Sequence, residues 1–292
     1  MLHGMTTTRY EAPGTVADAL SVMAAHPGAM ILAGGTDLLV QYQAGLRTPS
    51  AFIDVKRIPE LMAIEADASG VTIGAAVAAA DICAHPVIRA WWPGLVDGVQ
   101  LIGSTQIQGR GSLGGNLCNG SPAADATGAL IASGAVAHIA APSGVRTVPV
   151  EQFVLAPGKT ALAPGELLVS VRLPKPAAHT ADAYQRLIPR TEMDIAVASV
   201  AVSITLDPSG LCTAARVVIG AVAPTLLLVP EAGAALVGTT LDAAALERAA
   251  LAASAAARPI DDKRGTVAYR TTVVGVLTKR VAAIALSRAK ER

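Results

Sequence analysis

Two glycine-rich segments carry the residue types best suited to binding an anion. The first reads Ile31-Leu32-Ala33-Gly34-Gly35-Thr36-Asp37-Leu38, and the second reads Gly109-Arg110-Gly111-Ser112-Leu113-Gly114-Gly115-Asn116. Each joins adjacent glycines to a hydroxyl, and glycine lets backbone N–H groups approach a ligand with no Cβ in the way. The two segments are therefore predicted to form two backbone cradles for one phosphate-bearing ligand.

Neither segment fits the common nucleotide-binding fingerprints. The G-x-G-x-x-G spacing is not met at Gly34-Gly35, and no G-x-x-x-x-G-K-[ST] occurs. Taken alone, a glycine pair beside an apolar run is more often a hairpin turn or a bulge. The second pair favours a binding role because residues 116–125 are predicted to be a long polar loop, and long loops are usually functional.

Composition excludes several classes of protein. The chain has 292 residues, enough for two domains, and 52% of them are hydrophobic. The excess is alanine, and the apolar runs 217–236 and 267–286 are broken by prolines or by basic residues, so neither is predicted to span a bilayer. The net charge of +1 with scattered basic residues argues against a nucleic-acid partner. Residues 1–6 show no secretory signal, which predicts a cytoplasmic protein.

The three cysteines do not form a recognisable site. Cys83, Cys118 and Cys212 lie far apart without a C-x-x-C, which excludes a disulfide framework and a zinc or iron–sulfur site built by this chain alone. Cys118 is interpreted as a small packing residue. No Ser-His-Asp set and no pair of catalytic carboxylates is found, so no catalytic residue is predicted.

The first glycine segment is predicted to lie in a small α/β unit. Apolar spacing indicates helices over 17–25 and 36–43 and short strands over 30–33 and 52–55. The second helix would begin beside the glycine turn, where the helix dipole favours an anion.

The rest of the chain mixes strands and helices without strict alternation. Up to residue 173 the predicted strands are 71–74, 136–140, 145–148 and 166–173, and the predicted helices are 78–84, one within 91–103, and 124–133. Pro174-Lys175-Pro176 marks a domain boundary. Beyond it, the predicted strands are 184–187, 197–206 and 215–222, and the predicted helices are 242–257 and 266–289. The domains are therefore predicted as 1–60, 61–176 and 177–292.

With these elements in place, the chain resembles the FAD-binding medium subunit of the molybdenum hydroxylases, the family of xanthine dehydrogenase and carbon monoxide dehydrogenase. The resemblance covers essentially the whole length. It is carried by five motifs in order: Ala33 to Leu38, Arg110 to Leu117, Ser121 to Asp125, Met193-Asp194-Ile195-Ala196, and Asp262-Lys263-Arg264-Gly265 with Tyr269-Arg270.

The resemblance implies an α+β fold. Two subdomains would form the FAD-binding fold shared with vanillyl-alcohol oxidase-like flavoproteins, and a C-terminal domain would pair a three-stranded antiparallel sheet with a helical bundle. FAD would be bound by this chain, whereas [2Fe–2S] clusters would lie in a small partner subunit and the molybdenum cofactor in a large one. A heterotrimer that forms a dimer is expected, with electrons leaving through FAD to an external acceptor.

The resemblance also implies residue roles. Ile31, Leu32, Ala33, Gly34, Gly35, Thr36, Asp37 and Leu38 would wrap the pyrophosphate and ribose of FAD. Ser112, Gly114, Gly115 and Asn116 would complete the diphosphate cradle from the opposite side. Asp125 would meet a polar part of the cofactor, Ile102 and Gly103 would lie near the flavin ring, and Leu168 would pack against the adenine or ring system. Arg186 occupies the stretch where some relatives carry a lysine near the flavin.

Several alternatives remain open at this point. Asp125 could be the N-cap of the following helix, Asp37 could be a first-turn dipole residue, and Arg186 and Arg190 could be solvated strand-end arginines. The chain could also be a self-sufficient flavoprotein oxidoreductase of the same fold, or a scaffold subunit that has lost its cofactor. Thr36-Asp37 stands where the carbon monoxide dehydrogenase branch typically carries histidine and serine, which favours a complex acting on N-heterocycles, purines or aldehydes.

Overall fold

The computed structural model describes residues 8–292. The prediction about a secretory signal at residues 1–6 lies outside this range. The first part of the chain is a small α/β unit. Its elements are β1 (Arg9–Glu11), α1 (Val16–Ala25), β2 (Met30–Leu32), α2 (Leu38–Gln43), β3 (Ala51–Asp54) and α3 (Pro59–Met62).

The strands of this unit form a parallel sheet in the order β1-β3-β2, with Met30 paired to Phe52. Helix α1 begins at the N-cap Thr15, whose hydroxyl accepts a hydrogen bond from the N–H of Asp18. The apolar side of α1 packs on the sheet through Ala19, which is fully buried. The first glycine segment follows β2 directly, as predicted.

The middle of the chain forms a five-stranded antiparallel sheet in the order β4-β5-β10-β6-β7, with helices packed against it. Its elements are β4 (Ile64–Asp67), β5 (Gly70–Gly74), α4 (Ala79–Ala84), α5 (Pro86–Trp91), α6 (Pro93–Val99), α7 (Thr105–Gln108), α8 (Leu113–Cys118), α9 (Asp125–Ala132), β6 (Val136–Ala141), β7 (Gly144–Pro149), a 3-10 turn (Val150–Gln152), β8 (Val154–Ala156), β9 (Lys159–Thr160) and β10 (Leu167–Pro174). Strands β8 and β9 pair as a separate hairpin.

One local prediction in this part is wrong. The stretch 116–125 is not a long polar loop, because α8 continues to Cys118 after the capping residue Ser112. The prediction of a helix within 91–103 is confirmed by α6, which begins at Pro93.

The last part of the chain pairs a sheet with two long helices. Its elements are β11 (Thr180–Leu187), β12 (Ala198–Leu206), β13 (Cys212–Gly220), β14 (Leu227–Leu228), α10 (Pro230–Ala234), α11 (Ala243–Ala256) and α12 (Val267–Lys290). The antiparallel sheet has four strands in the order β11-β12-β13-β14, not the three predicted. The two residues of β14 lie shortly before a proline and are too few to produce an alternating pattern.

The hydrophobic cores show how these parts meet. One core lies under the five-stranded sheet and also includes Tyr184 of β11 and Ala201 of β12, so the last part of the chain contributes to it. A second core lies between the four-stranded sheet and helices α11 and α12. The two helices approach closely, because a Cβ built on Gly275 would lie 2.6 Å from Oγ of Ser254. In residues 8–292, no helix is long and apolar enough to cross a membrane.

Candidate functional site

The two glycine-rich segments lie against each other, and the region between residues 34–38 and Asn116 is called the cleft below. A Cβ built on Gly34 would overlap the carbonyl group of Arg110, lying 2.6 Å from its carbon atom. At the rim, Nδ2 of Asn119 donates a hydrogen bond of 2.9 Å to Oδ2 of Asp37. Glycine is therefore required at position 34 for the segments to approach, and the predicted juxtaposition of the two segments is observed.

The first segment presents unpaired backbone donors. Within residues 8–292, none of the N–H groups of residues 34–38 is hydrogen-bonded to a protein acceptor. Gly35 has a φ of +76°, which turns the chain at this point. Because α2 has only six residues, the free backbone amides, rather than a long helix dipole, are the groups available to an anion here.

Side chains that the sequence analysis did not single out hold this turn in place. Nζ of Lys56 donates to the carbonyl of Ala33 over 2.9 Å and pairs with Oδ1 of Asp54 over 2.7 Å. The hydroxyl of Tyr10 donates to Oδ2 of Asp54 over 2.6 Å. Lysine and aspartate near a strand end are too common in sequences to have signalled this role.

The second segment uses its backbone donors within the protein. Ser112 caps α8, and the four N–H groups that follow it all have acceptors. Leu113 donates to Val77 O over 3.2 Å, Gly114 to Ala75 O over 2.8 Å, Gly115 to Ser112 Oγ over 3.1 Å and Asn116 to Ser112 O over 3.0 Å. The N–H groups of residues 113–116 are therefore not free, whereas the N–H of Ser112 has no acceptor within residues 8–292, and a second cradle at this segment stays a prediction.

What the second segment offers is a side chain and an exposed surface. Oδ1 of Asn116 is buried and has no hydrogen-bond partner in the described part of the chain. Gly115 is exposed, whereas Gly114 is buried and a Cβ there would lie 2.6 Å from Cβ of Ala75. Gly114 thus allows close packing against Ala75, and Oδ1 of Asn116 is a buried acceptor that a ligand donor could satisfy.

Asp125, Tyr184 and Arg186 form a buried hydrogen-bonded group at the start of α9. Oδ1 of Asp125 accepts from the hydroxyl of Tyr184 over 2.7 Å, and Oδ2 accepts from Nη1 of Arg186 over 2.6 Å. Burial raises the pKa of Asp125 to about 6, although the Arg186 guanidinium acts in the opposite sense. At neutral pH the pair is therefore ionised. Nε of Arg186 is buried without a partner among residues 8–292 and remains an unused donor.

This group decides between alternatives that the sequence left open. The N-cap of α9 is Ala124, and the Asp125 side chain makes no capping hydrogen bond. The Arg186 side chain is only 5% exposed, so it is not a solvated strand-end arginine, whereas Arg190 is 67% exposed. Tyr184 was not predicted as a site residue. The one available signal was a hydroxyl-bearing aromatic two positions before an arginine, which places both on the same face of a strand.

Asp37 is the N-cap residue of α2, where its side chain makes no capping bond and instead accepts from Asn119. Ile102 and Gly103 lie in the turn that follows α6, and Ile102 is half-buried against the core. Gly103 has a φ of +62°, and a Cβ there would lie 2.6 Å from Cγ2 of Ile107. Leu168 lies within the core with 3% of its surface exposed, at the bulge in β10, so the structure gives it a packing role beneath the cleft.

Other candidate chemistry is weak. Burial raises the pKa of the Cys118 thiol to about 12, which disfavours a nucleophilic thiolate and fits its interpretation as a packing residue. Across residues 8–292, no group of three or more His, Cys, Asp or Glu side chains is arranged to hold a metal ion.

Comparisons with known proteins point in one direction. The family model for the FAD binding domain in molybdopterin dehydrogenase matches residues 6–176. The model for the CO dehydrogenase flavoprotein C-terminal domain matches residues 183–285.

Individual relatives agree over nearly the full length. The chain is 34% identical to the carbon monoxide dehydrogenase medium chain of Afipia carboxidovorans, over 96% of this chain and 97% of that one. It is 29% identical to the xanthine dehydrogenase FAD-binding subunit of Escherichia coli O157:H7, over 96% of each. A solved chain of carbon monoxide dehydrogenase from Hydrogenophaga pseudoflava superposes with a TM-score of 0.92 at 35% identity, covering 96% of this chain and 98% of that one.

Proposed function

Since this chain belongs to the family of FAD-binding medium subunits of molybdenum hydroxylases, we propose that it conducts electrons from the [2Fe–2S] clusters of a small partner subunit to an external acceptor. Family membership identifies an oxidoreductase component that binds FAD. The route of the electrons is our proposal. It depends on FAD binding at the cleft, which one observation supports.

That observation is the set of unsatisfied polar groups on both sides of the cleft. The N–H groups of residues 34–38 are donors without acceptors, Asn116 Oδ1 is a buried acceptor without a donor, and Arg186 Nε is a buried donor without an acceptor within residues 8–292. Buried polar groups are nearly always paired in folded proteins, which makes the Asn116 and Arg186 atoms unusual, whereas residues 34–38 are half-buried or exposed. A ligand with phosphate oxygens and donor groups would satisfy all three, and FAD has both.

The chain's own residues would bind and orient this cofactor. Residues 34–38 would hold phosphate oxygens, and Asn116 and Arg186 would bind its polar groups. Asp125 keeps Arg186 in place through their ion pair. When bound, FAD exchanges electrons singly or in pairs, and the protein contributes its position and its electrostatic surroundings. Ile102 and Gly103 are proposed to border the flavin ring, which excludes water from one side of it.

The partners follow from the same proposal. A small iron–sulfur subunit and a large subunit with the molybdenum cofactor would complete a heterotrimer that forms a dimer. The large subunit would oxidise an N-heterocycle, a purine or an aldehyde, so this chain would not contact the organic substrate. Thr36 and Asp37 support this substrate class, and the hydrogen bond from Asn119 makes Asp37 part of the cleft.

The direct test is the visible absorption spectrum of the chain expressed alone and then with its genomic neighbours, followed by heat release of any flavin. We expect releasable FAD, joined by iron and molybdenum only in the co-expressed complex. A correctly folded but colourless chain in both preparations would overturn the proposal and favour a cofactor-free scaffold.

The substitution Gly35→Val tests the first segment. A Cβ there would lie 2.9 Å from Cδ1 of Leu39 and 3.1 Å from Cδ1 of Leu32, at a φ of +76°. We expect FAD content to fall at least about tenfold, since strain and overlap each cost on the order of 1–3 kcal/mol. FAD per chain is measured after purification.

Gly45→Val is the matched control. Gly45 has a φ of +71° but nothing within 4 Å of a built Cβ, so this variant carries the backbone strain without the collision. It should retain FAD close to the wild-type level. Equal loss of FAD in both variants would contradict the assignment of the first segment as the cradle.

A further inference from the structure

Helix α6 connects the candidate site to the last part of the chain. It is followed directly by the turn that carries Ile102 and Gly103. Strand β11 holds both ends of this helix. Near its start, the N–H of Gly94 donates to Oδ1 of Asp182 over 2.8 Å, and near its end Oδ2 of Asp97 accepts from the N–H of Tyr184 over 3.2 Å.

The end of helix α12 completes this attachment. Arg288 makes a bidentate ion pair with Asp97, at 2.6 Å and 3.1 Å, and also donates to the carbonyl of Asp182 over 2.9 Å. One turn later, Arg292 donates to the carbonyls of Trp91 and Thr180 over 3.0 Å and 2.6 Å. Arg288 therefore joins α6 to β11, and Arg292 joins the preceding helix α5 to the same strand.

The ion pair between Arg288 and Asp97 is partly buried, which strengthens its effect on the position of α6. The side chains of Arg288 and Asp97 are 30% and 20% exposed, so water screens them less than a surface pair. Bidentate arginine–carboxylate pairs also fix orientation, which a single lysine contact does not. Arg288 thus constrains the angle of Asp97 and not only its distance.

Close backbone packing would transmit a shift of α6 to the site. A Cβ on Gly98 would lie 2.6 Å from the carbonyl oxygen of Asp125, and a Cβ on Gly94 would lie 2.6 Å from Cγ of Asp182. Because the Gly98 contact is made by backbone atoms on both sides, displacing α6 moves the backbone of Asp125 or opens a gap beside it. The same displacement carries Ile102 and Gly103 with it.

We propose that Arg288 is a positioning residue for the flavin site. It holds Asp97, and through α6 it fixes the position of the turn at residues 100–104 and of the backbone of Asp125. The expected effect of Arg288 on FAD binding rests on the proposed function. Arg288 lines one cavity together with Tyr184 and Arg186. Its proposed effect is on the geometry of the groups that bind the cofactor.

The test compares Arg288→Gln with Arg288→Lys and with Lys279→Gln as the matched control. Lys279 lies on the same helix and forms an exposed ion pair of 2.7 Å with Glu247, away from α6. Amide hydrogen exchange is measured first on the full chain without FAD. We expect exchange over residues 93–104 to rise about tenfold in Arg288→Gln, with α12 itself unchanged, and to stay at the wild-type level in Lys279→Gln.

The second readout is the bound flavin. The Kd for FAD should rise about tenfold in Arg288→Gln, with a shift of the visible absorption maxima, and Arg288→Lys should recover part of both. Unchanged exchange at 93–104 would overturn the inference, and so would a uniform rise over the whole C-terminal part. If Arg288→Gln does not fold, Asp97→Asn is measured in its place with the same criteria.

The two proposals can fail separately. If the wild-type chain binds no FAD, the proposed function fails while the exchange experiment on the FAD-free chain still decides whether Arg288 holds α6. If the wild-type chain binds FAD and Arg288→Gln binds it equally well with an unchanged spectrum, the positioning role at the flavin is wrong and the proposed function stands.

Discussion

The two glycine-rich segments have similar sequences but differ in the hydrogen bonding of their backbone N–H groups. Within the described residues, the amides of 34–38 have no protein acceptor, and the chain turns there with a positive φ at Gly35. In residues 113–116, every amide donates to a protein oxygen, and Gly114 lets α8 lie against Ala75. The first segment therefore has free backbone donors, whereas residues 113–116 use theirs within the protein.

This difference comes from what surrounds each segment. The first follows an outer strand of the small parallel sheet, β2, and no protein acceptor within residues 8–292 lies against its amides. The second lies between β5 and α9 and is enclosed by acceptors such as the carbonyls of Ala75 and Val77. Adjacent glycines permit close approach to any oxygen, whether it belongs to a phosphate or to a carbonyl.

Amide hydrogen exchange with and without FAD gives the largest contrast between the segments. At FAD concentrations of about 100 times Kd, the amides of residues 34–38 should gain protection of about a hundredfold, because bound ligand opposes opening by that factor. Amides 113–116 should be protected in both states, since their bonds are internal. Equal gains in the two segments would remove the distinction drawn here.

The substitution Gly114→Ala should affect stability more than binding. Its Cβ would lie 2.6 Å from both Cβ and the carbonyl oxygen of Ala75, so α8 must shift, at a cost of about 1–3 kcal/mol. Urea unfolding of the FAD-free chain measures this loss. The Kd for FAD of the folded variant should change less than about threefold. The corresponding change in binding free energy is smaller than the expected loss of unfolding free energy. A loss of binding with unchanged stability would mean that Gly114 faces the ligand.

The substitution Asn116→Ala should have the smallest and the opposite effect. It removes a buried acceptor that has no partner within residues 8–292, so the stability of the FAD-free chain should stay within about 0.5 kcal/mol of the wild type. FAD affinity should fall about five- to tenfold, as for the loss of one hydrogen bond. Fluorescence titration with FAD gives the affinity.

Asn119→Ala serves as its control, because Asn119 binds Asp37 at the exposed rim. If Asn116→Ala binds FAD as well as the wild type does, its unpaired oxygen has another explanation, and the second segment is purely structural.

Most of the fold could be predicted from patterns that depend on neighbouring residues. Helix α11 and strand β12 follow clear periodicities and lie within one or two residues of the predicted bounds. Strand β14 was missed because its two residues pair with β13 through tertiary contact rather than through an alternating pattern. Helix α8 was missed entirely because Gly114, Gly115 and Asn116 are poor helix formers, and a cap at Ser112 and packing against Ala75 outweigh their propensity.

The sequence indicated which residues belong to the candidate site better than it indicated what each of them does there. Gly34, Gly35 and Asn116 could be chosen from the sequence because the motifs of the family contain them. Whether an amide is free depends on which oxygen lies opposite, and the acceptors for Gly114 and Leu113 come from residues about forty positions earlier. The same reason explains Tyr184, whose bond to Asp125 joins residues far apart in the chain.

The order of strands in the five-stranded sheet sets a time at which this protein can first acquire a cofactor. Strand β10 lies between β5 and β6, and the N–H of Ala75 is bonded to the carbonyl of Val169. The carbonyl of Ala75 accepts a hydrogen bond from the N–H of Gly114. The second glycine segment is therefore not fully held in place until residue 169 has been synthesised and has paired. Arg186 comes later still. Binding of FAD during translation is therefore delayed until about two thirds of the chain has left the ribosome, because contacts between distant residues form slowly and late.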